Sequence, residues 1–199
     1  MIERHTAKVH NKLKNASVAI AGLGGLGSNI AVSLARSGVG HLFLVDFDRV
    51  DITNINRQQY FVDQVGMYKT EALKSTIEKI NPYINIEIKT ICVNEKNVLS
   101  LFGEYNIVCE AFDRAQNKAM LVNTLLENTN SYVVSASGMA GYLSSNTIKT
   151  KKLMKRLYLC GDGETDSADV NGLMAPRVAI CANHQANAVL RIICGEFEV

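Results

Sequence analysis

Apolar positions along the chain fall into short runs separated by longer stretches of helical spacing. Residues 17–21 (Ser-Val-Ala-Ile-Ala) form a compact apolar run ending in glycines, the pattern of a buried strand. Ile30, Leu34 and Ala35 recur at helical spacing across 28–37, and Gly38 supplies a stop. The pattern then predicts a strand over 41–46, a helix over 69–81 closed by Asn81-Pro82, and a strand over 84–88. Further on it predicts a short helix over 95–102, a strand over 106–110, a helix over 114–128 and a strand over 132–136. Strands at 146–151 and 156–160, and a long helix over 177–193 beside Pro176, complete the order.

Alternation of strand and helix through residue 136 places the chain in the α/β class. The expected form is a Rossmann-like, mainly parallel sheet with helices on both faces and mixed strands toward the C-terminal part. No repeat, low-complexity tract or linker divides the 199 residues, so 1–199 reads as one domain.

Composition narrows the function classes. A net charge of +2 gives no basic field for nucleic acid or membrane. The N-terminal stretch is polar, and no apolar run approaches the ~20 residues that span a bilayer. A cytoplasmic location is expected. Cys92, Cys109, Cys160, Cys181 and Cys194 are widely spaced with no Cys-x-x-Cys, which fits a reducing compartment, mostly buried thiols and no structural zinc. His5, His10, His41 and His184 lack ligand-like spacing. Asp162, Glu164, Asp166 and Asp169 outline a calcium loop, but Ser167 and Leu173 occupy its glycine and closing glutamate positions, which argues against calcium.

The chemistry gathers after the first two strands. Gly22-Leu-Gly24-Gly25-Leu-Gly27 lies between a strand and a helix, where backbone can approach a phosphate and a helix N-terminus offers free N–H groups. Asp46 ends the second strand, where an acid can bind ribose hydroxyls. Asn54, Arg57 and Gln58 crowd just beyond it, and Lys69 opens the next helix. Hydride transfer has little use for these groups near the phosphates. Nucleotidyl transfer uses them, because negative charge grows on the attacked phosphate and the departing pyrophosphate. Asp113 follows a strand at the same edge and suits a Mg²⁺ ligand.

Gly22-Leu-Gly-Gly-Leu-Gly27, Val45-Asp-Phe-Asp48, Asn54-Ile-Asn-Arg57-Gln58 and Lys69 together resemble the signature of the ubiquitin-activating superfamily. Glu110-Ala-Phe-Asp113 and Leu173-Met-Ala-Pro176 extend the match. The short form, with Ala136-Ser-Gly-Met-Ala-Gly-Tyr142 and without the zinc cysteines of MoeB, looks most like a compact ThiF type of the ThiF/MoeB/HesA family. That resemblance implies an adenylyltransferase that uses ATP and Mg²⁺ to activate the C-terminal glycine carboxylate of a small ThiS-like sulfur-carrier protein, in thiazole biosynthesis. It implies that Asp46 holds ribose and that Gly22, Gly24, Gly25 and Gly27 hold the triphosphate, with Asp48 among the nucleotide-binding residues. Arg57 and Lys69 would stabilise transferring charge, Asn54 and Gln58 would position phosphate, and Asp113 would bind Mg²⁺. It also implies a homodimer with Arg4 as a candidate to reach the partner's site, and makes Cys160 the nearest counterpart of a sulfur-transfer cysteine.

Three competitors stay open at this point. The glycine motif and Asp46 alone fit an NAD-dependent oxidoreductase. A tRNA-modifying or molybdopterin-pathway activating enzyme shares the signature, although near-neutral charge weakens an RNA partner. A non-catalytic nucleotide-binding partner is disfavoured because every expected charged position is filled. Lys149, Lys151, Lys152, Lys155 and Arg156 cluster just before the glycine- and acid-rich stretch 161–172. They suggest either a solvated strand pair followed by a loose loop, or a basic surface that attracts an acidic carrier with the loop closing over its tail.

Overall fold

The computed structural model describes residues 6–165 and 172–199. Arg4, His5 and residues 166–171 lie outside the described residues, and with them the candidate trans-acting arginine and part of the calcium-like outline.

A seven-stranded sheet organises the chain. Its strands are β1 (Ser17–Ala21), β2 (His41–Asp46), β3 (Asn85–Thr90), β4 (Ile107–Glu110), β5 (Tyr132–Ala136), β6 (Lys149–Met154) and β7 (Leu157–Gly161). The spatial order is β3-β2-β1-β4-β5-β7-β6. Among the described residues, six strands are parallel and β6 runs antiparallel, paired with β7 at the edge. The expected mainly parallel sheet with a mixed C-terminal part is what forms.

The helices are α1 (Ala7–Lys14), α2 (Gly25–Ser37), α3 (Lys69–Ile80), α4 (Val98–Phe102), α5 (Ala115–Asn128) and α6 (Ala175–Cys194). The pleat sends alternate strand residues to opposite faces. Val18, Ile20, Leu42, Leu44, Cys109 and Val134 join the core shared with α2, α3 and α6. Ala19, Ala21, Phe43, Val45, Val108 and Val133 join the one beneath α4 and α5. Burial on both faces explains why these strands read as continuous apolar runs. Among the described residues, no helix is long and apolar enough to cross a membrane.

Most differences from the sequence reading lie at element ends. α2 begins at Gly25, before the apolar spacing starts, because glycines carry no side chain for a pattern to register. α6 begins at Ala175 and takes Pro176 into its first turn, where a missing N–H costs nothing. α4 is shortened to Val98, because Asn94 and Asn97 side chains bond nearby backbone N–H groups and hold residues 94–97 in a turn. Residues 145–147 form a 3-10 turn capped by Ser144, so β6 starts at Lys149 instead of 146. α1, which the polar N-terminus hides, is capped by Thr6 and buries only Leu13.

Strand order reverses between β1 and β4, so the loops that follow these two strands diverge and leave a crevice at their carboxyl ends. The segments following β1, β2, β4 and β5 all border it.

Candidate nucleotide-binding and active site

A cavity of about 520 Å³ fills that crevice. Gly22, Gly24, Gly25, Asp46, Asp48, Arg57, Gln58, Lys69 and Asp113 line it, which brings together nearly every predicted site residue.

The glycines divide the labour. At Gly22, φ is +91° and an added Cβ would lie 2.8 Å from Ala111 O; at Gly27 it would lie 1.8 Å from Gly22 O. These two make the turn and let α2 pack against β1. Gly24 and Gly25 border the cavity, as Gly22 also does, and around Gly24 the nearest atom to an added Cβ is Gln58 Nε2 at 3.9 Å. Gly24 is the α2 N-cap with no side-chain cap, so the first-turn N–H groups face open space where an anion can sit.

Asp46 is buried beneath the loop, with Oδ2 accepting from Leu23 N at 2.6 Å and Oδ1 from Asp48 N at 2.8 Å. Burial pushes its carboxyl above the ordinary value, and the Lys69 charge and the two backbone N–H groups only partly offset this. Lys69 Nζ meets Asp48 Oδ2 at 2.9 Å, with 7% of the lysine side chain exposed. Arg57 is half-buried and held by Thr53 O and Asn56 Oδ1. Gln58 is 8% exposed, and its Oε1 is buried without a hydrogen-bond partner. A buried unpaired acceptor is costly, and a ligand donor entering the cavity would relieve it. Asp113 stands exposed on the rim.

Asn54 is placed differently. Its Oδ1 accepts from Asp51 N in a capping box, and the residue is outside the cavity lining. Its backbone carbonyl accepts from the N–H groups of Arg57 and Gln58, so it shapes the turn that presents both. Cys160 is also away from the cavity, fully buried beside Thr150, and burial pushes its thiol to about 11.

Residues that motif reading missed hold the site together. Tyr60 donates to Leu23 O, Ser28 Oγ accepts from Gln59 N, and Asn29 Nδ2 donates to Arg57 O. These bonds lash residues 57–60 to the glycine loop and α2. Buried polar residues inside an apolar helical stretch, Ser28 and Asn29, were the available signal. Glu110, fully buried, accepts from Lys118 at 2.8 Å, Ser135 Oγ at 2.5 Å and Phe112 N at 2.7 Å. It anchors the turn carrying Asp113, while Lys118 and Arg114 add cations to the cavity.

Sequence and structure comparisons give the family and the fold likeness. The family model described as "ThiF family" matches residues 1–199. An adenylyltransferase and sulfurtransferase UBA4 of Candida glabrata is 31% identical, over 94% of this chain and 44% of that protein. An adenylyltransferase and sulfurtransferase MOCS3 of Caenorhabditis briggsae is 34% identical over 64% of this chain and 32% of its own. This chain therefore spans less than half the length of these curated relatives. Among solved structures, the E. coli tRNA N6-threonylcarbamoyladenosine dehydratase TcdA in complex with ATP has a TM-score of 0.88 at 24% identity, covering 96% of this chain and 91% of that one. E. coli MccB with ATP has a TM-score of 0.75 at 28% identity, covering 96% of this chain and 59% of that one.

Proposed function

The chain belongs to the ThiF family, and from that premise we propose that it adenylylates the C-terminal glycine carboxylate of a small ubiquitin-like sulfur-carrier protein. A carrier carboxylate oxygen bonds to the α-phosphorus of ATP, the bond from that phosphorus to the bridging oxygen breaks, and pyrophosphate leaves. The product is a carrier acyl-adenylate.

One observation carries the reading: a single cavity gathers the open α2 N-terminus, Arg57, Lys69, Asp113 and the unpartnered Gln58 acceptor. Asp46 accepts from ribose, and Phe47, Ile91 and Val93 surround the base. The first turn of α2 and Gln58 hold phosphate. Arg57 and Lys69 meet the charge that grows during transfer, so positioning and electrostatics supply the rate. Mg²⁺ is usually held by one or two carboxylates plus substrate phosphates, and exposed Asp113 beside this cavity fits that donor set. There the metal would neutralise phosphate charge.

The finer reading is a ThiS-like carrier in thiazole biosynthesis, resting on the 136–142 segment. Residues 1–199 are read as one domain, working in the cytoplasm, where its five free thiols stay reduced. It is also a homodimer, a reading supported by exposed Ile52, Phe61, Val62, Val65 and Met67 on one segment, and light scattering tests it. ATP–pyrophosphate exchange tests the activity, with ThiS-type and molybdopterin-type carriers and tRNA supplied in turn. Exchange that depends on the ThiS-type carrier is expected. Exchange with another substrate would replace the finer reading, and none with any of them would overturn adenylylation.

A further inference from the structure

At the third position of α6, where the helix turns toward the core, the chain buries an arginine. Arg177 is 2% exposed. A guanidinium there is tolerable only if its N–H groups are satisfied, since an unpaired buried charge is strongly destabilising. All five N–H groups find acceptors. Nε donates to Ala140 O at 3.0 Å, and Nη1 donates to Leu143 O at 2.9 Å and Ser144 O at 2.7 Å. Nη2 donates to Thr147 Oγ1 at 3.2 Å and to the Asp162 carboxylate.

Asp162 carries the connection onward. Its Oδ1 accepts from Glu164 N and Thr165 N at 2.9 Å each, and its Oδ2 accepts from Thr165 Oγ1 at 2.9 Å. Thr165 Oγ1 in turn accepts from Ala140 N, closing a ring back to the segment that Arg177 grips. Asp162 N donates to Gly138 O and Gly163 N to Ser137 O, both across the same gap. Burial opposes the Asp162 carboxylate, yet the Thr165 and Glu164 N–H groups, the Thr165 hydroxyl and Arg177 hold its pKa below the ordinary value. One ion pair thus ties three segments together: 138–147, 162–165 and the start of α6.

Those segments form one wall of the cavity. Ser137, Gly138, Met139, Ala140, Thr165 and Leu173 line it, while Arg177 itself does not reach the lining. The sheet order sets what that wall faces. Phe47, Ile91 and Val93 follow β2 and β3 on one side of the glycine loop, whereas this wall follows β5 and β7 on the other. With the base toward β2 and β3, the wall borders the phosphate end, where the second substrate must enter.

We infer that Arg177, through Asp162, is a positioning residue that fixes the wall against which the acyl substrate's tail is laid for attack on the α-phosphate. The inference rests on the adenylylation reading. It goes further in naming a residue that touches neither substrate and yet sets the affinity for only one of them. The guanidinium fork is essential, because a lysine ammonium has three donors and cannot reach five acceptors.

The test compares wild type with Arg177→Lys and with the milder, nearly isosteric Thr165→Val, which removes only the link between Asp162 and Ala140. The probe is a ThiS-type carrier ending in Gly-Gly, with ATP binding measured separately without carrier. Arg177→Lys should raise KM for carrier about tenfold and lower kcat, with ATP affinity within about twofold of wild type. Thr165→Val should shift carrier KM a few-fold in the same direction at an unchanged melting temperature. Hydrogen exchange at the amides of Ala140, Gly141, Asp162 and Gly163 should quicken in both variants. If those amides exchange as slowly as in wild type, or if an active wild type and its variants share one carrier KM, the positioning role is overturned. A wild type inert with every substrate overturns adenylylation instead, and hydrogen exchange still decides whether Arg177 fixes the wall.

Discussion

At the scale of single residues, the site divides into groups that residue type announces and groups that only folding reveals. Arg57 and Lys69 announce themselves, because cations beside a glycine loop match phosphate chemistry. Arg57→Ala or Lys69→Ala should reduce adenylation by ~10²–10³, with ATP affinity falling less, since the charge they meet is largest during transfer. Pyrophosphate-exchange rates compared with ATP binding would check this, and near-normal rates in both variants would remove them from the chemistry. The pairings of Glu110 with Lys118 and of Asp162 with Arg177 were not legible, because a buried charge is defined by its partner and only the turns between the two residues bring each pair together. The cysteines show the same split. Burial pushes Cys160 to about 11, Cys181 to about 12 and Cys109 higher still, whereas Cys92 is exposed and lines the cavity. Because the thiolate is the reactive form, maleimide at neutral pH should label Cys92 first, half-buried Cys194 more slowly, and the three core thiols only on unfolding. ATP should protect Cys92. Equal labelling with and without ATP would place the base elsewhere.

At the scale of elements, the parallel strands were the most legible part, since burial on both faces leaves an unbroken apolar run. Element starts were less so, because the glycines that begin α2 and the asparagines that delay α4 act through backbone geometry and side-chain-to-backbone bonds. The glycine loop shows what this distinction means energetically. Its motif treats four glycines alike, but the structure does not. Gly27→Ala must displace the Gly22 carbonyl, 1.8 Å from the new Cβ, and should cost about 3 kcal/mol or prevent folding. Gly24→Ala meets nothing closer than 3.9 Å, so it should melt near wild type while weakening ATP by crowding the phosphate approach. Thermal melts paired with ATP titrations separate the two. A Gly24→Ala protein with unaltered ATP affinity would take the phosphates away from this helix start.

At the scale of the whole molecule, the question is how a nearly balanced charge distribution would meet the proposed protein partner. Five basic residues in 149–156 suggested a steering surface, and the fold removes two of them from it. Arg156 donates to Thr129 O, Ser131 O and Leu126 O, satisfying the C-terminal end of α5, and Lys152 pairs with Glu198 at 2.8 Å. Linear clustering could not show this, because both partners arrive through tertiary contacts. Lys149, Lys151 and Lys155 stay exposed, the first two on β6, the edge strand of the sheet. An acidic carrier approaching this edge would be steered by those three charges over the ~8 Å at which salt screens them. Reversing Lys149 and Lys151 to glutamate should therefore slow carrier association and flatten its salt dependence, leaving ATP binding and melting temperature unchanged. Arg156→Met should do the opposite, lowering the melting temperature through the frayed end of α5 while barely altering association at low temperature. Stopped-flow association across a salt series, with melts of each variant, reads both effects. If the Lys149 and Lys151 reversal leaves association and its salt slope unchanged, the carrier does not arrive along this edge, and the exposed lysines are a solvated strand face.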